Sequence, residues 1–457
     1  MKITKNLAEG NIYKNLILYT VPLILSALLS QAYSTVDGVI AGKCIGEFAL
    51  GAVGATASFE TLIGAVFGGF AAGFSIYLSH LFGKGDFAAV KRDTVGMITF
   101  VVLGSAAISA LSIGFHAPIM RYLKVDPLLW EDARRYFIIY TAGYAVFYAN
   151  SLLVYALNAL GITSFSFFVS LISAVLNIGG NLLTVLVFDM GVAGLAVSTL
   201  LSAIVATVCY VVVLRRAFAE MACGRVSYRF SFACVGRSLR YSVPTAIQQL
   251  SFHGVSFLIA PAVNGLGAVA MTANNVATRI YAFGTQGLWA SASAFACFSG
   301  QCVGLGDAKK LRHGVRAGFV VVCLATLPLV LIFSVFASPI VSLFFPAEHG
   351  GEAFGYAVRY AVVYLPLTYV QLIGHFLHSY LRSLGRITTV LVISVTGSIA
   401  RWAATLWLVP VMHLEGAFLA QVLAWGVDAV ICVVLFLLFY QKEAHLRRII
   451  EKIHQKT

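Results

Sequence analysis

Residues 416–440 read GAFLAQVLAWGVDAVICVVLFLLFY, a run whose one charged side chain is Asp428. A helix of about 20 apolar residues spans the hydrocarbon core of a bilayer, and it satisfies its own backbone hydrogen bonds there. Working back along the 457 residues, further runs of this kind recur. We place spans at 16–40, 50–81, 95–116, 136–156, 163–187, 191–214, 241–264, 276–302, 316–343, 356–380, 387–410 and 416–440. The composition agrees: 60% of residues are hydrophobic and 11% charged, against about 25% charged in a soluble domain. The fold class is therefore an all-α membrane protein with twelve transmembrane helices. No cleaved leader is expected, because the polar amino end MKITKNLAEGNIYKN runs straight into the first span.

The net charge of +13 is read by its position. An even number of spans puts both ends on one side. Placing both in the cytoplasm puts Lys2, Lys5, Lys14, Lys84, Lys91 and Arg92 inside. It also puts inside the basic residues of 215–240, Lys309, Lys310, Arg312, Arg316, Arg382, Arg386 and those from Lys442 to Lys456. Lys43, Arg121, Lys124, Arg134, Arg135 and Arg359 fall outside. Basic residues concentrate in cytoplasmic loops, so a multi-pass plasma-membrane protein with both termini in the cytoplasm is expected, and nucleic acid is not expected as a partner. The eight cysteines form no CxxC pair and read as small buried residues.

The long basic stretch near 215–240 sits mid-chain and prompts a search for a repeat. Tyr19-Thr20-Val21-Pro22 recurs as Tyr241-Ser242-Val243-Pro244, and Gly83-Lys84-Gly85-Asp86 as Gly304-Leu305-Gly306-Asp307. Leu160-Gly161 recurs as Leu384-Gly385 and Gly194 as Gly416, all at an offset near 222. The expected organisation is two homologous six-helix lobes, 1–214 and 241–457, joined by a cytoplasmic linker, 215–240. Six spans per repeat give both copies one orientation, as in transporters that bind substrate between parallel halves.

Ionisable groups inside spans are costly and need a reason. In the first span Ser30, Ser34 and Asp37 share a helical face. The fifth carries Ser170, Ser173, Asn177, Asn181 and Thr184, and the fourth Tyr140, Tyr144, Phe147, Ser151 and Asn158. Two readings stand for the hydroxyls and amides: hydrogen bonds between helices, or the lining of a polar, aromatic chamber. For Asp37, with no cationic partner near it in sequence, a carboxylate that exchanges a proton or binds Na⁺ is favoured. The second half offers Gln249, His253 and Ser256, then Tyr364, Thr368, Gln371, His375 and His378. His375-x-x-His378 has metal-ligand spacing, but no Cys or carboxylate accompanies it in sequence, so lining a cavity is preferred to metal binding. Arg279 and Arg401 bring positive charge into this half, and an Arg–Asp428 pair is the structural expectation. Glu60 is read as a snorkelling residue near a span end. No Walker motif, HExxH or nucleophile elbow is present, so an enzyme is not expected.

The pattern Pro22-x(8)-Gln31-x-Tyr33-x-x-Val36-Asp37-x-x-Ile40-x-Gly42 resembles the multidrug and toxic compound extrusion (MATE) family, as do Leu157-Asn158-Ala159-Leu160-Gly161 and the stretch from Gly191 to Thr199. The resemblance covers nearly the whole chain. It implies two lobes of six helices that open alternately to each side, and export of organic cations and aromatic drugs in exchange for H⁺ or Na⁺. It implies that Asp37 is the coupling acid, with Asn177, Asn181 and Thr199 around it. The sequence departs from one branch, which carries Asp where Asn181 stands. It departs from another with acids in the seventh and tenth spans, where Phe252, His253 and Gln371 stand here. Coupling is therefore expected at Asp37 alone, with no cofactor beyond the ion. Ser34, Tyr140, Tyr144, Phe147, Gln249, His253, Arg279, Gln371, His375 and Arg401 are the expected cavity residues, and a small-molecule substrate, the lipid bilayer and a monomer are the expected partners and state. A lipid-linked saccharide flippase of the wider superfamily is the alternative.

Overall fold

The computed structural model describes residues 4, 6–123, 125–223, 226, 232–345, 351–440 and 443–454. Lys2, Lys5, Lys124, Arg225, Arg229, Lys442 and Lys456 lie outside the described residues, as does part of the expected linker. No strand occurs among the described residues. The first half runs α1 (Ile12–Ile40), α2 (Glu47–Lys84), α3 (Phe87–Gly114), α4 (His116–Tyr122), α5 (Trp130–Ala142), α6 (Tyr144–Ala159), α7 (Ser164–Leu182) and α8 (Gly191–Glu220). The second runs α9 (Phe232–Asn264), α10 (Ala268–Gly284), α11 (Gln286–Leu305), α12 (Ala308–Val335), α13 (Ala337–Ser342), α14 (Glu352–Arg359), α15 (Thr368–Ser383), α16 (Ile387–Leu435) and α17 (Glu443–His454).

Among the described residues, nine helices are long and apolar enough to cross a membrane. One of these, Ile387–Phe439, is 53 residues long, and a straight helix of that length would measure about 80 Å. It is broken at His413, whose φ of 53° is non-helical, so it supplies two crossings. Two more crossings are bent pairs: Pro127–Ala142 with Tyr144–Ala159 (49°) and Glu352–Tyr364 with Thr368–Ser383 (55°). Counted this way the crossings number twelve, the expected total. The second bend falls at Pro366, which cannot donate to a continuing helix. The eighth expected span begins earlier than its apolar run: α10 starts at Ala268, and its polar Thr272, Asn274 and Asn275 belong to the helix.

The repeated glycines have repeated geometry. Gly85 (φ 78°) and Gly306 (φ 77°) close α2 and α11 in the left-handed conformation that glycine adopts without a Cβ penalty. The aspartate that follows caps the next helix in each case, Asp86 accepting from Ala89 N at 3.0 Å and Asp307 from Lys310 N at 2.8 Å. Gly-x-Gly-Asp is thus a helix stop and start in both halves.

The chain divides into two packed units, Met1–Asn6 with Leu25–Ala246 and Leu7–Ile24 with Ile247–Thr457. In the first, Phe74, Leu78, Leu81, Leu152, Leu153, Leu157 and Leu214 form the main core. Gly69 and Gly73 of α2 let its backbone touch that of α9, since a Cβ on either would overlap the backbone at Ala246 or Ser242. A buried ionic cluster joins the same helices. Asp93, with no side-chain exposure, pairs with Arg92 (2.9 Å) and Arg237 (3.3 Å) and accepts from the Tyr77 hydroxyl at 2.7 Å. In the second unit Leu7, Leu16 and Tyr19 pack with Phe295, Phe298, Phe376, Tyr380 and Leu446. Most cysteines are buried or half-buried as expected, but Cys44 is exposed.

Candidate functional site

In the first unit, α1 and α7 each run into a wide π turn within about one turn of their key polar residue, Ala41–Ile45 after Asp37 and Leu183–Val187 after Asn181. Such turns rotate the side chains before them relative to those after and recur at functional positions. The Asn181 amide donates to Asp37 Oδ1 at 2.6 Å, and a weaker contact of 3.4 Å joins it to Asn177 Oδ1. Asn177 donates to Thr199 Oγ1 at 3.1 Å, and that hydroxyl donates to Leu195 O at 2.9 Å. The four residues thus form one chain of hydrogen bonds across α1, α7 and α8. Gly180 permits it: a Cβ there would meet Ser198, which donates to Asn177 O at 2.9 Å. Asn181 Oδ1 is buried without a hydrogen-bond partner, and Asp37 makes no ion pair among the described residues.

Asn177 and Thr199 also line a cavity of about 400 Å³, with Ser30, Tyr33, Tyr140, Phe147, Asn150, Ser151, Ser170, Ser173 and Tyr210. Tyr140 stacks on Tyr136 (5.6 Å between centroids) and leans on Phe147 (4.9 Å), so one wall is aromatic. Two expected residues fall outside it. Ser34 is exposed on α1, whose cavity-facing positions are Ser30 and Tyr33. Tyr144 is fully buried against Tyr148 and Tyr140 behind the wall. Glu60 lies in the first third of the span Gly51–Lys84, accepts from the Thr56 hydroxyl at 2.9 Å, and is close enough to Tyr136, Tyr140 and Tyr144 to interact with them electrostatically. The Glu60–Thr56 spacing of four residues was the available signal.

In the second unit two adjoining cavities share Gln249, Phe252, Trp289 and Arg401. The larger, about 560 Å³, is also lined by His253, Tyr281, Gln286, Tyr360 and Gln421; the smaller, about 80 Å³, by Gln371, His375, His378, Trp425 and Asp428. The Gln371 amide donates to the Tyr281 hydroxyl at 2.7 Å, and Tyr281 stacks on Trp425. His375 meets the Trp289 ring edge at 4.1 Å between centroids. Arg401 donates to Ser256 at 3.1 Å. Arg279 stands apart: Ala273, Val276, Ala277 and Ile280 take the buried face of α10, while Arg279 joins Thr272 and Asn275 on an exposed one. The expected Arg–Asp428 pair is replaced by another contact, Asp428 Oδ1 lying 3.2 Å from His378 Nε2.

Similarity to other proteins bears on this arrangement. Over 312 residues the chain is 26% identical to the probable multidrug resistance protein YpnP of Bacillus subtilis (strain 168), covering 66% of this chain and 68% of that one. A second protein of that organism, the probable multidrug resistance protein YoeA, is 22% identical over 75% of each chain. Among solved structures, a MOP superfamily transporter from Pyrococcus furiosus superposes with a TM-score of 0.88 at 18% identity, covering 99% of this chain and 100% of that one. A multidrug resistance MATE family transporter in an outward-facing conformation gives 0.86 at 18%, with the same coverage. These likenesses show the two-lobe, twelve-helix fold. The MatE family model matches residues 22–183 and 244–406, stretches that begin 222 residues apart, the offset of the repeat. Matched in both halves and over well more than half of its length, the chain is a multi-pass membrane protein of the MatE family.

Proposed function

We propose that this protein is a secondary antiporter that exports small organic compounds, cationic or aromatic, in exchange for H⁺ or Na⁺, with both termini in the cytoplasm. One observation carries the reading. Asp37 is an intramembrane carboxylate with no ion pair among the described residues, held by Asn181, whose own carbonyl oxygen is buried without a hydrogen-bond partner among them. A carboxylate and a vacant oxygen acceptor suit a proton or a small hard cation. Asn177 and Thr199 link that acid to the aromatic cavity, so an ion at Asp37 and an organic cation near Tyr140 and Phe147 compete through one hydrogen-bonded chain. The competition exchanges one for the other: ionised Asp37 favours the cation-loaded state, and an entering H⁺ or Na⁺ favours release. Such a ligand shifts a conformational balance only by its differential affinity for the two states. The multidrug resistance names of the relatives support the same reading.

The test is efflux of a fluorescent organic cation from proteoliposomes under an imposed pH or Na⁺ gradient. One gradient should drive the wild type and fail to drive Asp37→Asn. Transport of lipid-linked saccharide without cation efflux would replace the reading with a flippase.

A further inference from the structure

The smaller cavity of the second unit ends on three side chains that the antiport reading does not use. His378 of α15 and Asp428 and Cys432 of α16 place one ligand atom each within 4.8 Å of one another. Asp428 and Cys432 are four residues apart and so share a helical face. His378 and Cys432 are 4% and 0% exposed, and the Asp428 side chain is 19% exposed toward the cavity.

The local backbone makes room for this group. Gly374 stands one turn before His378, and a Cβ there would overlap Asp428 Oδ2. A Cβ on Gly397 of the first part of α16 would only reach ordinary contact with Asp428. Gly374 is thus the glycine that lets Asp428 reach in beside the imidazole. Yet the two do not hydrogen-bond: His378 Nε2 is 3.2 Å from Asp428 Oδ1 but lacks hydrogen-bond geometry, and it has no other hydrogen-bond partner among the described residues. Donor atoms that converge at this spacing without bonding to each other have the arrangement of ligands around a shared centre. Ligands about 2.0–2.3 Å from a tetrahedral Zn²⁺ stand roughly 3.3–3.8 Å apart. The spacing of His375-x-x-His378 carries no such site by itself; the oxygen and sulfur ligands come from α16, some fifty residues later in the chain.

We propose that His378, Asp428 and Cys432 form a binding site for a divalent cation of the Zn²⁺ class, with its fourth position open to the cavity. One imidazole, one carboxylate and one thiolate is a donor set for borderline metals such as Zn²⁺ or Co²⁺ and a poor one for Mg²⁺ or Ca²⁺. Binding converts the Cys432 thiol to a metal-bound thiolate and releases one proton. Two anionic ligands then balance the 2+ charge, so the loaded site is itself neutral in the cavity that Arg401 also lines. The metal ties α15 to the last crossing.

The test uses the full chain in detergent, in a Cys44→Ser background that removes the exposed thiol, with Co²⁺ as probe. One Co²⁺ should bind per chain with the near-ultraviolet absorption of a cobalt–thiolate bond, and Zn²⁺ should displace it. Cys432→Ser should abolish that absorption, and Asp428→Asn and His378→Gln should weaken binding by more than about tenfold, a scale that even outer-shell partners of ligands reach. If a variant does not elute as folded protein, the background protein decides: Zn²⁺ should release about one proton per chain and raise the unfolding temperature. Absence of the cobalt–thiolate band in the background protein, or its persistence in folded Cys432→Ser, overturns the proposal.

Discussion

The ionic cluster beneath α2, α3 and α9 yields an ordered pair of expectations. Asp93 has no exposed side-chain surface, whereas Arg92 and Arg237 are 38% and 34% exposed. Removing the acid lets both guanidinium groups turn to water, and the Tyr77 hydroxyl loses its acceptor at 2.7 Å. Asp93→Asn keeps one oxygen to accept, so after solvent screening of the arginines it should cost about 1.5–3 kcal/mol. Removing both bases is different, because it strands a carboxylate that water does not reach. Arg92→Gln with Arg237→Gln should cost about 3–5 kcal/mol, the range for a buried charge left unpaired. At 2–4 °C per kcal/mol for a unit of this size, the transitions should fall by roughly 3–12 °C and 6–20 °C. Thermal unfolding of the detergent-purified proteins at one fixed scan rate reads both. The reasoning is refuted if the double arginine variant is the more stable of the two, or if neither differs from wild type.

Other expectations are as specific. Gly73→Ala should lose about 1–3 kcal/mol or more, because its Cβ overlaps backbone at Ser242, which cannot move aside; Gly68→Ala, with open space around it, should unfold like wild type. Asn181→Ala removes the 2.6 Å donor to Asp37 and should change the ion dependence of transport while leaving the protein folded; unchanged dependence on both H⁺ and Na⁺ would break the link between these residues. Arg401→Gln removes the cation beside Ser256, so it should weaken anionic competitors of transport and spare cationic ones, measured by inhibition of dye efflux. Inhibition constants that stay the same for both classes would place Arg401 outside the binding surface.

Much of this is legible in the sequence. Apolar runs mark the crossings because lipid permits little else, and the offset near 222 returns in the two family-matched stretches, where Gly-x-Gly-Asp stops one helix and caps the next in both. Asp37, Asn177 and Asn181 stand out as polar groups inside spans, the resemblance adds Thr199 and groups the four, and they come together in one hydrogen-bonded chain. Periodicity shows which residues share a face, but not what the face meets. That is why Ser34 and Arg279 fall outside the cavities while Ser30, one turn before Ser34, and Thr278, next to Arg279, line them. Lys91 and Arg92 read only as cytoplasmic basic residues, because the second basic partner of Asp93, Arg237, lies 144 residues away. The same distance in sequence hides the neighbours of His378: nothing in the 375–378 segment announces Asp428.

The most direct test of the account is dye efflux from proteoliposomes holding wild type or Asp37→Asn, with the membrane potential held at zero and a pH or Na⁺ gradient of about 50-fold imposed. One-for-one exchange of monovalent cations moves no net charge, so that gradient alone supplies about 2.3 kcal/mol, the equivalent of roughly a 50-fold dye ratio. Wild type should build a ratio approaching that value with one ion gradient and not the other. Asp37→Asn, whose amide can still accept from Asn181, should fold, insert and equilibrate dye without concentrating it. An Asp37→Asn protein that concentrates dye as well as wild type would contradict the assignment of coupling to this carboxylate.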